Sequence, residues 1–384
     1  MMDFRLSDIQ ESMVATVRKF ATKELLPKYA YWDKNEEFPR EQWQKMGDLG
    51  LLGLRVPTEY GGQATDCVTA GLMAEEIARG DFSCGYGVLL TCLIGDILEK
   101  FATESVKQTW MTTMATGEKI LCIALTEPHC GSDAAALKAR AVRKGDKYVL
   151  NGEKSSVSLV LASDAAVVFA KTDPAAGAKG ISAFLVPLDH PGISRFPYND
   201  MGEKAIVRGS LFMDDVEVPA ENLIGDEGSG FIQVMQGFDY SRALIGLMCV
   251  GAAQVTLNET IEYVKERKAF GKPLSQNQGI SFPLVEWATR VDMVRLLCYH
   301  TLSLRDNGLP HTKEAAMCKW QGPEVAAAAI HNCLLLHGHY GYTTDFPVEQ
   351  RLRDVIGLQI GDGTAQVQKM IIARELFGRD FISF

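Results

Sequence analysis

The hydrophobic period of this chain changes twice, and that double change limits the fold more than any other feature. Residues 9–21 repeat apolar side chains at helical spacing behind Ser7-Asp8-Ile9-Gln10, a capping-box pattern. Helical patterning continues through 68–78, 87–101 and 105–114 and stops at Gly117. From Lys119 the pattern becomes that of strands. Residues 120–126 form a short apolar run fit for a buried strand, and 139–143 with 148–150 flank a Gly145-Asp146 turn as a hairpin. Residues 165–171, 181–187 and 209–218 are further strand candidates, with Gly and Pro clustered between them. Three long runs, 231–265, 278–304 and 312–336, then return to helical spacing with apolar seams. Gly322-Pro323 is expected to kink or break the third. Helices, then strands, then helices means an α+β chain with segregated parts, not alternating βαβ units. The expected domains are N-terminal helical (1–118), middle β (119–228) and a C-terminal up-and-down helical bundle (229–384).

A length of 384 residues suits two or three such domains, and 47% apolar with 23% charged residues is ordinary for a globular protein. The net charge of −9 argues against a nucleic-acid partner, so an anionic ligand would need a local cluster of Arg and Lys. No run reads as a membrane span. The first 26 residues mix Asp3, Asp8 and Glu11 with bases, unlike a leader peptide. Nine cysteines without a Cys-x-x-Cys pair lie mostly in apolar runs and read as buried thiols of a reducing, cytoplasmic compartment. His331, His337 and His339 lack a recognisable metal spacing, so no metal is expected. Gly225-Asp226-Glu227-Gly228-Ser229-Gly230 is acidic and reads as a linker rather than a phosphate cradle.

Two stretches carry chemistry. Gly361-Asp362-Gly363-Thr364 holds an acid between two glycines, on backbone that can bend sharply, with Thr364 placed to cap a following helix. Alone it is either an ordinary turn or a carboxylate aimed into a cavity as a base. Leu125-Thr126-Glu127-Pro128-His129-Cys130-Gly131-Ser132-Asp133 leaves a strand for a glycine turn and offers hydroxyls and backbone N–H groups to a planar polar ligand. This second stretch closely resembles the Thr-Glu-Pro-x-x-Gly-Ser-Asp signature of the acyl-CoA dehydrogenases. Asn151-Gly152-Glu153-Lys154, Asp239-Tyr240-Ser241-Arg242, Glu266-Arg267-Lys268-Ala269-Phe270-Gly271 and His337-Gly338-His339-Tyr340-Gly341-Tyr342 follow in that family's order. Gly361-Asp362-Gly363-Thr364 falls where the family usually reads Tyr-Glu-Gly-Thr. The resemblance covers essentially the whole chain.

The resemblance implies a β-barrel-like middle domain, a C-terminal four-helix bundle, FAD as cofactor and an acyl-CoA thioester as substrate. A base takes the α-proton while the β-hydrogen leaves as hydride to flavin N5, and electrons pass to electron-transfer flavoprotein. Asp362 matches the base, and its own N–H a contact to the thioester oxygen, beside Gly363. Leu125, Thr126 and Ser158 match contacts to the flavin ring. Ser132, Asp239 and Arg242 match contacts to the CoA part, with Ser132 also near the cofactor. Arg267, Phe270 and Gln278 match FAD contacts made across a subunit interface, and Gly338, Thr364 and Gln366 lie in stretches meeting its adenosine end. A cofactor site shared in this way implies at least a dimer, and the family is most often a homotetramer. Taken singly, these residues have blander readings. Arg267 could complement a helix dipole, Asp239 and Arg242 could form a surface ion pair, and Ser132 could be a turn residue.

Three departures matter. The base is Asp rather than Glu, shorter by one carbon–carbon bond, about 1.5 Å. Ser156 stands where the family usually has a Trp, and Leu335 and His339 replace a usual Gln and Gly. Asp at the base position also resembles members acting on alicyclic thioesters, so a cyclic acyl group is expected. The expected reaction takes cyclohexanecarboxyl-CoA to cyclohex-1-ene-1-carboxyl-CoA. Leu89-Leu90-Thr91-Cys92 carries no second acid, and Thr91 is either an acyl contact or a small core residue. The alternatives are a dehydrogenase of short or branched linear acyl-CoA, an enoyl-CoA reductase, and a non-catalytic flavoprotein partner subunit.

Overall fold

The computed structural model describes residues 5–382. Its N-terminal part contains α1 (Asp8–Phe20), α2 (Tyr29–Asn35), α3 (Arg40–Asp48), α4 (Cys67–Gly80), α5 (Phe82–Phe101) and two short turns, α6 (Glu104–Val106) and α7 (Thr112–Ala115). The capping box of α1 closes in both directions between Ser7 and Gln10. Asp66 and Asp81 cap α4 and α5 by accepting from backbone N–H groups in the first turn. α5 is apolar all round because it is buried along nearly its whole length.

The middle part contributes β1 (Leu121–Ala124), β2 (Arg140–Lys144), β3 (Lys147–Val157), β4 (Ala165–Lys171), β5 (Ile181–Pro187), β6 (Ile193–Pro197), β7 (Gly209–Pro219) and β8 (Leu223–Ile224). They form one sheet in the order β6-β7-β3-β2-β4-β5-β8, with β1 parallel to β4. Gly145, at φ 67°, makes the β2–β3 turn, a conformation that glycine adopts without a Cβ penalty. Among the described residues β6 and β8 end the sheet and do not pair with each other, so the barrel-like part is open. These two strands have no strong sequence signal. β6 is mostly exposed and holds its place through Arg195, which donates to the Val160 and Ser163 carbonyls at 2.9 and 2.8 Å.

The last part holds α8 (Gly230–Glu266), a small β9–β10 hairpin (Lys268–Ala269, Lys272–Pro273), α9 (Gln278–Asp306), α10 (Thr312–Leu336), α11 (Val348–Gly357) and α12 (Ala365–Phe377). α8, α9 and α10 pack on one another, and α12 packs on α10. Of the expected kink or break, the break is absent: α10 runs as one helix through Gly322-Pro323. Packing explains this: a Cβ on Gly322 would lie 2.6 Å from the Gly246 Cα of α8, so two glycines bring the helix backbones unusually close. That tertiary contact outweighs the local preference of proline. α5 and α8 are each long and apolar enough to span a membrane, unlike the sequence expectation, but 89% and 72% of their apolar windows are buried inside the protein. All nine cysteines are free and buried.

Candidate active site

The three parts meet around a cavity of about 910 Å³. Leu125 and Thr126 reach it because β1 ends just before them, and Ser132 lines it from the loop that follows. Ser155, Ser156 and Ser158 come from the end of β3, where a register shift between Lys154 and Val157 turns Ser156 out at φ 52°. Leu89, Leu90 and Leu93 of α5 form an apolar side. Asp239 and Arg242 of α8, and the loop Gly361-Asp362-Gly363-Thr364 ahead of α12, complete it.

A buried ion pair fixes the β1 end. Lys154 Nζ, with no exposed side-chain surface, donates to Glu127 at 2.8 Å and to the Leu125 carbonyl at 2.9 Å. The Glu127 carboxylate also accepts the N–H groups of Lys138 and Ala139, at 2.6 and 2.9 Å. Burial opposes the charge on Glu127, but Lys154 and these N–H groups outweigh it and hold the carboxyl below its ordinary range. Glu127, His129 and Cys130 come close enough to suggest a metal site, yet the ion pair already occupies Glu127.

The Asp362 loop is built differently. Asp362 sits at φ 53°, uncommon for a residue with a Cβ, between Gly361 and a left-handed Gly363. Thr364 caps α12 by accepting from the Val367 N–H at 3.3 Å. Gln368 Nε2 donates to the Asp362 and Gly363 carbonyls at 3.3 and 3.1 Å. Lys319 Nζ donates to the carbonyls of Leu358 and, at 3.2 Å, Gly363. Among the described residues no hydrogen bond ends on the Asp362 carboxylate itself. The area it leaves accessible is cavity wall, and burial pushes its carboxyl above the ordinary range while Lys319, Arg242 and Arg208 pull it back. Burial also brings the Lys319 ammonium down to about 8, against the opposing pull of Asp362.

Arg242 is 5% exposed, donates to Asp239 at 2.6 Å and leaves its Nε buried without a protein partner. Thr312 holds the other oxygen of Asp239 at 2.6 Å. This is no surface ion pair; it sets a buried guanidinium in the cavity wall, where it favours an anionic or carbonyl-rich ligand. Tyr86 donates to Glu203 at 2.7 Å, and Arg208 closes on the same carboxylate. All three line the cavity, Glu203 being 1% exposed.

The structure thus brings Leu125, Thr126, Ser132, Ser158, Asp239, Arg242, Asp362, Gly363 and Thr364 to one cavity. It does not bring Thr91. That hydroxyl donates to the Gly87 carbonyl at 2.8 Å on the far side of α5, because a helix turns about 100° per residue and Leu89, Leu90 and Leu93 take the cavity face. Arg267, Phe270, Gln278, Gly338 and Gln366 lie outside the cavity of the single chain and are exposed, Phe270 fully so. Sequence reasoning missed Tyr86, Glu203, Arg208 and Lys319. Only Lys319 left a trace, as a lone charge on the apolar seam of 312–336.

A carboxylate raised by burial in a cavity wall, with hydroxyls and a buried arginine beside it, is the kind of arrangement found at enzyme active sites. The N-terminal, middle and C-terminal domain families of the acyl-CoA dehydrogenases match residues 7–118, 122–216 and 228–377, so the chain belongs to the acyl-CoA dehydrogenase family. It is 40% identical to the mitochondrial short-chain specific acyl-CoA dehydrogenase of Rattus norvegicus, over 97% of this chain and 90% of that one. It superposes on butyryl-CoA dehydrogenase from Megasphaera elsdenii with TM-score 0.95 and 32% identity, covering 98% of this chain and 100% of that one. A glutaryl-CoA dehydrogenase from Mycobacterium smegmatis in complex with FADH2 gives TM-score 0.92 and 28% identity, covering 98% and 97%. The cofactor of the family is FAD, and this cavity fits it. Leu125 offers an apolar face, Thr126 and Ser158 offer hydroxyls at one edge, and the volume is that of a large ligand site.

Proposed function

We propose that this acyl-CoA dehydrogenase introduces an α,β double bond into a compact acyl-CoA thioester, with cyclohexanecarboxyl-CoA, oxidised to cyclohex-1-ene-1-carboxyl-CoA, as the first candidate. The observation that carries this reading is the Asp362 carboxylate, free of hydrogen bonds in the cavity wall. FAD, when bound, accepts the β-hydrogen as hydride. The residues of the chain do the rest. Asp362 takes the α-proton, its backbone N–H meets the thioester oxygen, and Arg242 with Asp239 and Ser132 holds the CoA part. Thr126 and Ser158 orient the ring. A proton α to a thioester is weakly acidic, so a base made more basic by burial suits the task.

Two features favour a compact acyl group. Asp is one methylene shorter than the family's usual Glu, which leaves room beside the base, and Ser156 leaves open the space of a large ring. A second reading, a short linear substrate, is favoured by the names of the short-chain and butyryl-CoA relatives. Electron-transfer flavoprotein is the proposed acceptor. The exposure of Arg267, Phe270 and Gln278 supports a cofactor site completed by a second copy of the chain. A homotetramer in the cytoplasm belongs to the same proposal and rests on the family resemblance and the cysteine usage.

Anaerobic bleaching of the protein-bound flavin tests the reading across a thioester panel. Cyclohexanecarboxyl-CoA is expected to bleach it fastest. Far faster bleaching by butyryl- or isovaleryl-CoA would remove the cyclic substrate and leave the short-chain one. A protein purified without flavin would remove both.

A further inference from the structure

Lys319 stands out among buried groups to which the reaction assigns no work. It is 1% exposed, on the α10 seam, and an ammonium so placed is costly unless something requires its charge. Its two hydrogen bonds go to neutral carbonyls, Leu358 at the start of the Asp362 loop and Gly363 just after the acid. Gln368, fully buried, grips the Gly363 carbonyl from the other side. The loop is therefore tied down on both flanks of Asp362 while the carboxylate stays free. The charged groups facing Asp362 are Lys319 from α10, Arg242 from α8 and Arg208 from the entry to β7. Facing Lys319 are Asp362, Cys249 and Arg242 of α8, and Glu203. Arg242 is already paired with Asp239 and Arg208 with Glu203, so of these three cations Lys319 is the one without a carboxylate partner among the described residues.

We propose that Lys319 is a positioning residue for the base: it pins the loop through the Leu358 and Gly363 carbonyls and supplies the positive charge against which Asp362 ionises. This rests on Asp362 being the base. Pinning also bears on the shortened acid, since a shorter side chain reaches the substrate only if its loop is held at a fixed depth. Removing the ammonium makes the charged carboxylate less favourable, so the acid limb of activity moves to higher pH.

The test uses the flavin-loaded enzyme and compares Lys319→Met, Lys319→Gln and Gln368→Met with Asp362→Asn. Lys319→Gln retains a donor for the carbonyls without the charge and serves if the Met variant does not fold. Both Lys319 variants are expected to move the acid limb of kcat/KM upward by about one pH unit or more, the usual effect of losing a close opposite charge. At a fixed pH on that limb the rate falls about tenfold for a limb one pH unit higher, and part of it returns as the pH is raised. Gln368→Met is expected to lower the rate without moving the limb. An activity-independent readout is the infrared band of the protonated Asp362 carboxyl, identified by its loss in Asp362→Asn and followed with pH. An unmoved limb and band in the Lys319 variants, with Asp362→Asn inactive, overturns the role of Lys319. An active Asp362→Asn overturns the base assignment instead.

Discussion

The molecule contains two interior carboxylates with a buried lysine beside each, and they are built to opposite ends. Glu127 accepts Lys154 and two backbone N–H groups, and its carboxyl is held below the ordinary range. Asp362 lies near Lys319, but the lysine directs its hydrogen bonds to loop carbonyls, and the carboxyl is raised by burial. A carboxylate gripped by an ammonium and two N–H groups is stabilised in its charged form, resists taking a proton and serves as an anchor. One without such bonds keeps its basicity and can take a proton from carbon. The difference lies in where the lysine points, not in the residue types.

Exchanging charge for neutrality at each site should separate the two roles. The largest effect is expected for Asp362→Asn, which should cut anaerobic flavin reduction by ~10²–10⁴, the usual contribution of a positioned base, with urea stability unchanged or slightly higher. Lys154→Met should do the reverse, destabilising the fold by about 3–5 kcal/mol in urea unfolding, because Glu127 is left charged and unpaired in the interior. Near-normal stability in that variant would erase the distinction between anchor and base. Glu127→Gln should also destabilise, by about 3–5 kcal/mol, because it leaves Lys154 charged in the interior without its counter-charge.

The smallest expected effect is on pH dependence, where the two carboxyls should part in direction. Glu127 is depressed in the folded state, so its contribution to stability is fully present above its unfolded value of about 4.3 and fades as pH falls through its lower folded value. Glu127→Gln should therefore flatten the acid end of the stability curve. Asp362 is raised and must be ionised to act. Its activity should begin to fall on the acid side at a pH above the ordinary carboxylate value of about 4, while the fold is still stable. Stability and kcat/KM measured over the same pH range would check both.

Much of this was legible in the sequence. The capping box at Ser7, the hairpin around Gly145 and the strands at 165–171 and 181–187 follow from short-range pattern, and the structure reproduces them. The Asp362 loop and the stretch from Leu125 to Ser132 were visible because their chemistry is contiguous in the chain. Lys319, Tyr86, Glu203 and Arg208 were not, because each matters only through partners far away in sequence; Tyr86 and Glu203 are 117 residues apart. Thr91 was misplaced because a motif gives a position along a helix without giving the face. The break expected at Pro323 failed for a related reason. Local preference was read without the neighbouring helix that overrides it.

That neighbouring helix has a further consequence. Gly246 and Gly322 touch where α8 crosses α10: a Cβ on Gly322 would meet the Gly246 Cα at 2.6 Å, and one on Gly246 the Cys318 carbonyl oxygen of α10 at 3.3 Å. Arg242 lies four residues before the first and Lys319 three before the second, each about one turn from the crossing. The distance between two helix axes thereby sets how closely two cations approach one acid. A single methyl group at the crossing, far too small to reach the substrate, would change the acid strength of the base, so a dimension of the scaffold is written into the enzyme's working pH.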